Sequence, residues 1–408
     1  MAIIIPFKAL RPEVQFAKQV ASPPYDVLNS KEAKVLAQGN PVSFLHITKS
    51  EIDLPENIDI HSEAVYQKAK ENLDAFLNRN ILFLESKPCY YIYRLIMNEQ
   101  EQTGLVCCSS IDDYEQDLIK KHEFTRPEKE QDRINHIRIT RAQTGNVFLA
   151  YNNVEQIDRI IESWKKDRSA VYDFSTDDEV KHTIWLINDE LIISAITQLF
   201  KDNVSYTYIA DGHHRAASAA KVREVNVSKS IESNYFLTTL FPANQLRILD
   251  YNRLIKDLNG LTLSEFLENL NKEFIVSKSD DAFKPNSPHT FGMYLSKQWY
   301  SLKMKESGTS ETDPITSLDI SILDDKILRP ILGIKDQRTD ERIDFVGGIR
   351  GLEELERRVN NGEMEVAFSI FPVSMQQLFK IADMGKVMPP KSTWFEPKLR
   401  DGLLTHMI

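Results

Sequence analysis

The sequence predicts an α+β protein built from several packed regions, and three observations carry that expectation. Its 408 residues exceed one small module. Strand-like and helix-like patterns alternate between 147 and 210. Beyond about residue 230 strands and helices mix without that alternation. Hydrophobic residues make up 42% and charged residues 27%, proportions of a globular chain that exclude wholesale disorder and fibrous repeats.

The elements follow in chain order. Pro6-Phe7-Lys8-Ala9-Leu10-Arg11-Pro12 and Ser22-Pro23-Pro24-Tyr25-Asp26-Val27 read as rigid extended segments, because proline fixes φ and restricts its predecessor. Asn29 with Glu32 forms a capping box for a short helix that Gly39-Asn40-Pro41 ends. A strand is expected over 42–48. Ser62 caps a longer helix, where Val65, Ala69, Leu73, Phe76 and Leu77 recur at helical spacing. A hairpin is expected from 89–97 and 102–111, with Tyr90, Tyr91 and Tyr93 packed in its sheet. A polar helix then runs to about 143. Strands 147–151, 180–187 and 205–210 alternate with helices 154–166 and 190–200. Later strands are expected at 235–241, 291–295 and 366–371, and later helices at 264–274, 352–359 and 375–384. Residues 303–316 are the most loop-like stretch.

Composition narrows the function. Lys plus Arg total 50 against 60 Asp plus Glu, a formal net charge of -10. Proteins that wrap nucleic acid usually carry the opposite sign, so a small-molecule role is favoured. Cys89, Cys107 and Cys108 form neither a disulfide framework nor a CxxC knuckle, which suggests a reducing compartment. The apolar start is short and broken by Pro6, and no stretch approaches a membrane span. A soluble cytoplasmic protein without a membrane partner is therefore expected.

The sharpest local feature is Ala210-Asp211-Gly212-His213-His214-Arg215, where a β-rich run meets an alanine-rich helix former. Asp211 is expected at the N-cap. Gly212 permits a tight turn and close ligand approach. Unpaired N–H groups, two imidazoles and a guanidinium at a helix start suit a phosphate. Asp211 would repel a bare phosphate but fits a divalent ion between the two. The residues alone leave open an ordinary capped helix with surface His and Arg.

Three further groups stand out. Glu123, in Lys121-His122-Glu123-Phe124-Thr125-Arg126-Pro127, can serve as a general base towards a hydroxyl, or simply belong to a solvated charged loop. Tyr25 and Asp26 can wall a pocket, or Tyr25 can pack in the core. Gly347-Gly348-Ile349-Arg350-Gly351 can touch phosphate but lacks the full dinucleotide pattern, so a tight connection explains it better.

At these residues the chain resembles a widespread bacterial and archaeal family of unknown function, marked by the Asp-Gly-His-His-Arg signature and often labelled SpoOJ/ParA/ParB/RepB. The resemblance extends to the Pro6–Pro12, Pro23–Val27 and 121–130 segments, to Gln143-Thr144-Gly145, and to Met388-Pro389-Pro390-Lys391-Ser392-Thr393-Trp394-Phe395. More distantly, Asp211 to Arg215 looks like the phosphate-holding motif of the ParB/sulfiredoxin superfamily, which includes free serine kinases. Sulfiredoxins carry a catalytic Cys there. This chain has His213 and His214 instead, so sulfinic acid reduction is not expected.

The resemblance implies a ParB/sulfiredoxin-like nucleotide-binding core over 101–228, flanked by an N-terminal α/β region (1–100) and a C-terminal α+β region (229–408). It implies Mg2+ and ATP or ADP as cofactors and a small hydroxyl-bearing molecule as acceptor, as in a small-molecule kinase. Glu123, Asp211 and His213 would be catalytic, with Asp211 on the metal. Gly212, His213, His214, Arg215 and Arg126 would hold the nucleotide. Tyr25, Asp26 and His122 would meet the substrate. The alternative is a non-catalytic ParB-like regulator or DNA-associated protein. Homo-oligomerisation stays open.

Overall fold

The computed structural model describes residues 1–225, 230–305 and 313–408. Part of the loop-like stretch, 306–312, and the boundary expected at residue 228 lie outside the described residues. The fold is mixed α/β, with thirteen α-helices among the described residues. None of them is long and apolar enough to cross a membrane. The chain divides into two compact units, Met1–Leu246 with Pro397–Ile408, and Arg247–Glu396.

The first unit is organised by a nine-stranded sheet. Its order runs Ile119–Lys120, Thr207–Asp211, Val147–Tyr151, Tyr235–Pro242, Gln100–Ser110, Tyr90–Met97, Lys181–Ile187 and Tyr172–Ser175, with Ile4–Ile5 added on Gln100–Ser110. The expected hairpin is present, and Tyr90, Tyr91 and Tyr93 are buried in it. Helices Glu155–Asp167 and Glu190–Asn203 bury Ile157, Ile161, Trp164, Ile196 and Phe200 in the core beside the sheet residues Leu105, Leu149 and Ile209. Asp189 starts the second of these helices by accepting from the N–H groups of Leu191 (2.9 Å) and Ile192 (3.1 Å).

The strand expected at 42–48 is corrected: Leu45–Thr48 is a turn of helix. Val42, Phe44 and Ile47 still enter a core, with Leu10, Val20, Leu73 and Phe76. A short apolar run fits either period, and here the buried partners decide. The polar helix ends at Thr140, earlier than expected, because Arg141 turns left-handed (φ 57°).

One pairing positions the site. Thr207–Asp211 runs parallel to Ile119–Lys120, with Thr207 opposite Ile119 and Tyr208 opposite Lys120. Their carboxyl ends therefore share one edge of the sheet. Segments distant in sequence, 121–126 and 211–215, leave from that same edge.

The second unit contains a six-stranded antiparallel sheet in the order Phe274–Ser279, Gln298–Met304, Thr290–Leu295, Val366–Ile370, Tyr251–Ile255, Ile343–Gly347. Helix Leu263–Glu273, opened by a Thr262/Glu265 capping box, buries Phe266 and Leu270 in its core.

Candidate functional site

The site grows from the Thr207–Asp211 strand, the His213–Glu224 helix and the loop after Ile119–Lys120. Gly212, not Asp211, is the N-cap, with φ at +94°. A Cβ at Gly212 would lie 3.4 Å from the Val147 Cα, and the left-handed conformation disfavours any other residue. Gly212 has no side chain to cap the helix, so the first-turn N–H groups are left to another acceptor. Asp211 remains at the strand end as a partly exposed carboxylate.

Burial alone would push Asp211 up, but Lys398 first and Arg215 next pull it down to about 2. Lys398 Nζ is 3.5 Å from Asp211 Oδ2. Lys398 was missed in the sequence. The signal available was its place at the end of the proline-bounded aromatic segment, but nothing local ties it to Asp211 187 residues away.

His213 is 5% exposed, and its Nε2 has no hydrogen-bond partner among the described residues. Its ring meets that of buried His122 edge-on, with centroids 4.6 Å apart. Burial, then His122, pushes His213 well below the ordinary imidazole range. Burial likewise lowers His122 to about 4. Both rings are thus neutral at pH 7. Glu123 Oε2 lies 3.9 Å from His213 Nδ1, a polar contact with an uncharged ring and not an ion pair. Glu123 is the more accessible partner, with its side chain 45% exposed.

The remaining expected residues divide from this group. His214 Nε2 accepts from the Arg126 backbone N–H at 2.9 Å, so its neutral ring pins the loop to the helix. The Arg126 side chain is exposed beside this contact. Arg215 turns inward. Its Nη2 donates to both Asp26 oxygens (2.9 and 2.8 Å), and its Nη1 donates to the Asn146 carbonyl (2.5 Å). Tyr25 is buried, with Arg133 3.9 Å and Arg215 5.6 Å from its ring centre. Tyr25 packs in the interior and also lines a cavity with Arg133, Thr144, Gly145 and Arg215. Asp401 completes this interior cluster, close to where a Gly145 Cβ would sit (3.2 Å), and burial raises it to about 7. The site therefore gathers Glu123, Asp211, Gly212, His213, His122 and Lys398, and buried Arg215 adjoins it: its guanidinium lies 3.5 Å from where a Gly212 Cβ would sit, while its Nη2 holds the more exposed Asp26.

Among the described residues no group of three or more His, Cys, Asp or Glu side chains converges as a metal site. An all-protein metal cage is thus not built here. Mg2+ needs less, because it binds through one or two carboxylates with phosphate oxygens and waters. Asp211, ionised and partly exposed, fits that requirement.

The profile described as "Protein of unknown function (DUF1015)" matches residues 4–321. The chain belongs to the DUF1015 family. No curated protein matches this DUF1015 chain at a significant level. Several solved structures are similar to it at low identity. Free serine kinase in complex with AMP is 12% identical, with a TM-score of 0.37 over 76% of this chain and 92% of that one. A conserved hypothetical protein from Pyrococcus furiosus is 13% identical, with a TM-score of 0.35 over 74% and 94%. SbnI with a C-terminal truncation, from Staphylococcus aureus, is 10% identical, with a TM-score of 0.38 over 72% and 85%. Likenesses this distant place no ligand in this chain.

Proposed function

We propose that this DUF1015 protein binds a Mg-nucleotide by its phosphates at the start of the His213–Glu224 helix and transfers a phosphoryl group to a small hydroxyl-bearing molecule. A ParB/sulfiredoxin-like arrangement of the surrounding core is part of this reading. The observation that carries it is the meeting of Glu123, His213, Asp211 and Lys398 at an uncapped helix start.

Each group has a task its chemistry suits. The first-turn N–H groups and the helix dipole favour an anion. Lys398 adds a positive charge next to Asp211. Asp211 would hold Mg2+, which on binding would neutralise phosphate charge. Glu123 accepts the proton of the acceptor hydroxyl as its oxygen bonds to the terminal phosphorus. The bond from that phosphorus to the bridging oxygen breaks, and the nucleoside diphosphate leaves with the electron pair. Burial keeps His213 uncharged at neutral pH. Its place beside Glu123 suits orientation of that carboxylate. Arg215, bonded to Asp26 and the Asn146 carbonyl, fixes the helix start and adds its charge to the field that keeps Asp211 ionised.

Calorimetric titration with ATP, ADP and CTP in the presence of Mg2+ tests the reading. Binding that weakens at least tenfold in Asp211→Asn and Lys398→Ala is expected. The absence of heat with all three nucleotides removes it.

A further inference from the structure

One aromatic side chain near the site packs against nothing that explains its position. Phe124 is 73% exposed, the most exposed aromatic among the described residues. A single exposed apolar residue is ordinary on a surface. Phe124 differs because its loop is fixed on both sides. Glu123 contacts His213 at 3.9 Å, and the Arg126 N–H is bonded to His214 at 2.9 Å. The loop thus sits on the first two residues of the helix, and Phe124 is held within it between those two contacts. One residue spans at most about 3.6 Å, so the ring is tethered within a side chain's reach of the helix start.

Other aromatic rings nearby each carry a lysine over the ring. Lys120 Nζ lies 4.7 Å from the Tyr206 ring centre, and Lys121 Nζ lies 4.2 Å from that of Tyr114. No ring or cation contact covers Phe124 among the described residues. Its face is available to a planar partner, and the phosphate reading places one nearby, since a nucleotide carries a base at the far end of its phosphates.

We propose that Phe124 is the stacking platform for the base of the bound nucleotide, and so sets preference for a nucleotide over a bare polyphosphate. The inference rests on the phosphate-binding reading above. Base–aromatic stacking tolerates every base because each has a π-face, and removing the ring typically weakens binding about 5- to 100-fold.

The test compares Mg-ATP with Mg-tripolyphosphate by calorimetry in wild type, Phe124→Ala and Phe124→Trp. Wild type is expected to bind ATP more tightly than tripolyphosphate. Phe124→Ala is expected to lose that advantage by about 5- to 100-fold while keeping its tripolyphosphate affinity and its melting temperature. Phe124→Trp is expected to keep the advantage, and its added fluorescence, measured against wild type, should respond to ATP and not to tripolyphosphate. If tripolyphosphate binds wild type but ATP has no advantage, or Phe124→Ala keeps the advantage, the stacking role is overturned and the phosphate site stands. If neither ligand binds wild type, both readings fall together.

Discussion

Two strand-to-helix turns in this chain are built on glycine, one in each unit; in sequence the first suits a phosphate and the second reads better as a tight connection. At Asp211-Gly212-His213 the glycine takes a left-handed φ of +94° and the helix after it is uncapped. At Gly347-Gly348 the space is already taken. A Cβ on Gly347 would come 2.8 Å from the Trp394 ring, and one on Gly348 would come 2.3 Å from Asp250 Oδ1. Asp250 is 3% exposed, accepts from Asn252 and pairs with Lys284 at 3.1 Å. Glycine in a turn thus reports close approach, and the approaching group decides the meaning. In the second turn it is an indole and a buried carboxylate, and a carboxylate repels phosphate. In the first turn the approaching groups, the Val147 backbone and the Arg215 side chain, stand at ordinary contact distance (3.4 and 3.5 Å) and carry no negative charge.

The largest effect that would break this contrast lies at the first turn. Glu123→Gln keeps the shape of the side chain but cannot accept the hydroxyl proton. A kcat loss of about 10²- to 10⁴-fold, with nucleotide KM little changed, is expected in an assay of nucleoside diphosphate release with hydroxyl acceptors. Turnover equal to wild type would remove Glu123 as the base.

The next effect concerns the residue two places further along the helix. Arg215→Ala removes a buried guanidinium bonded to both Asp26 oxygens and to the Asn146 carbonyl, so a loss of about 2–3 kcal/mol in urea denaturation is expected. A loss under about 1 kcal/mol would mean that the pair does not hold the helix start. Arg215 would then be free to meet a ligand.

At the second turn, Gly348→Ala must displace a carboxylate held by two partners. A destabilisation of about 1–3 kcal/mol, with nucleotide binding unchanged, is expected from the same denaturation and calorimetry. Equal loss of nucleotide binding would show that the second turn is a ligand site after all.

These effects also mark what could be read from sequence. The Asp-Gly turn, the helix after it and the Glu123 loop were legible because glycine, helix formers and charge runs are local signals. The division of labour within His213-His214-Arg215 was not. Three adjacent polar residues on a helix point about 100° apart, and only the surroundings show that His213 faces Glu123, His214 faces the Arg126 amide and Arg215 faces Asp26. Lys398 and Asp401 were missed for the same reason: their partners lie far away in the chain. Strands Phe274–Ser279 and Gln298–Met304 escaped because polar residues (Ser277, Lys278 and Ser279 in one, Gln298, Ser301 and Lys303 in the other) break up their apolar pattern. The expected strand at 42–48 failed because an apolar run of that length does not choose its own period.

The smallest effect sharpens the contrast through pH. Asp401 lies among Arg215, Asp26, Arg133 and Tyr25, and burial raises it from the usual carboxylate range to about 7. The folded protein therefore keeps a proton that the unfolded chain has released between about pH 4 and 7. A raised pKa contributes stability at acid pH that is lost as pH rises through about 7. The buried neutral histidines His122 and His213 act in the opposite sense, since their lowered pKa costs stability as pH falls below about 6.5. The net profile of wild type mixes the two, so the informative quantity is a difference. Asp401→Asn cannot ionise, and the histidine contribution is common to both proteins. The melting temperature of the variant relative to wild type should accordingly climb by a few degrees from pH 5 to pH 8. A difference that stays flat would place an ionised Asp401 beside Arg215 at both pH values, and the interior network would then be an ordinary set of ion pairs in which no carboxyl keeps its proton.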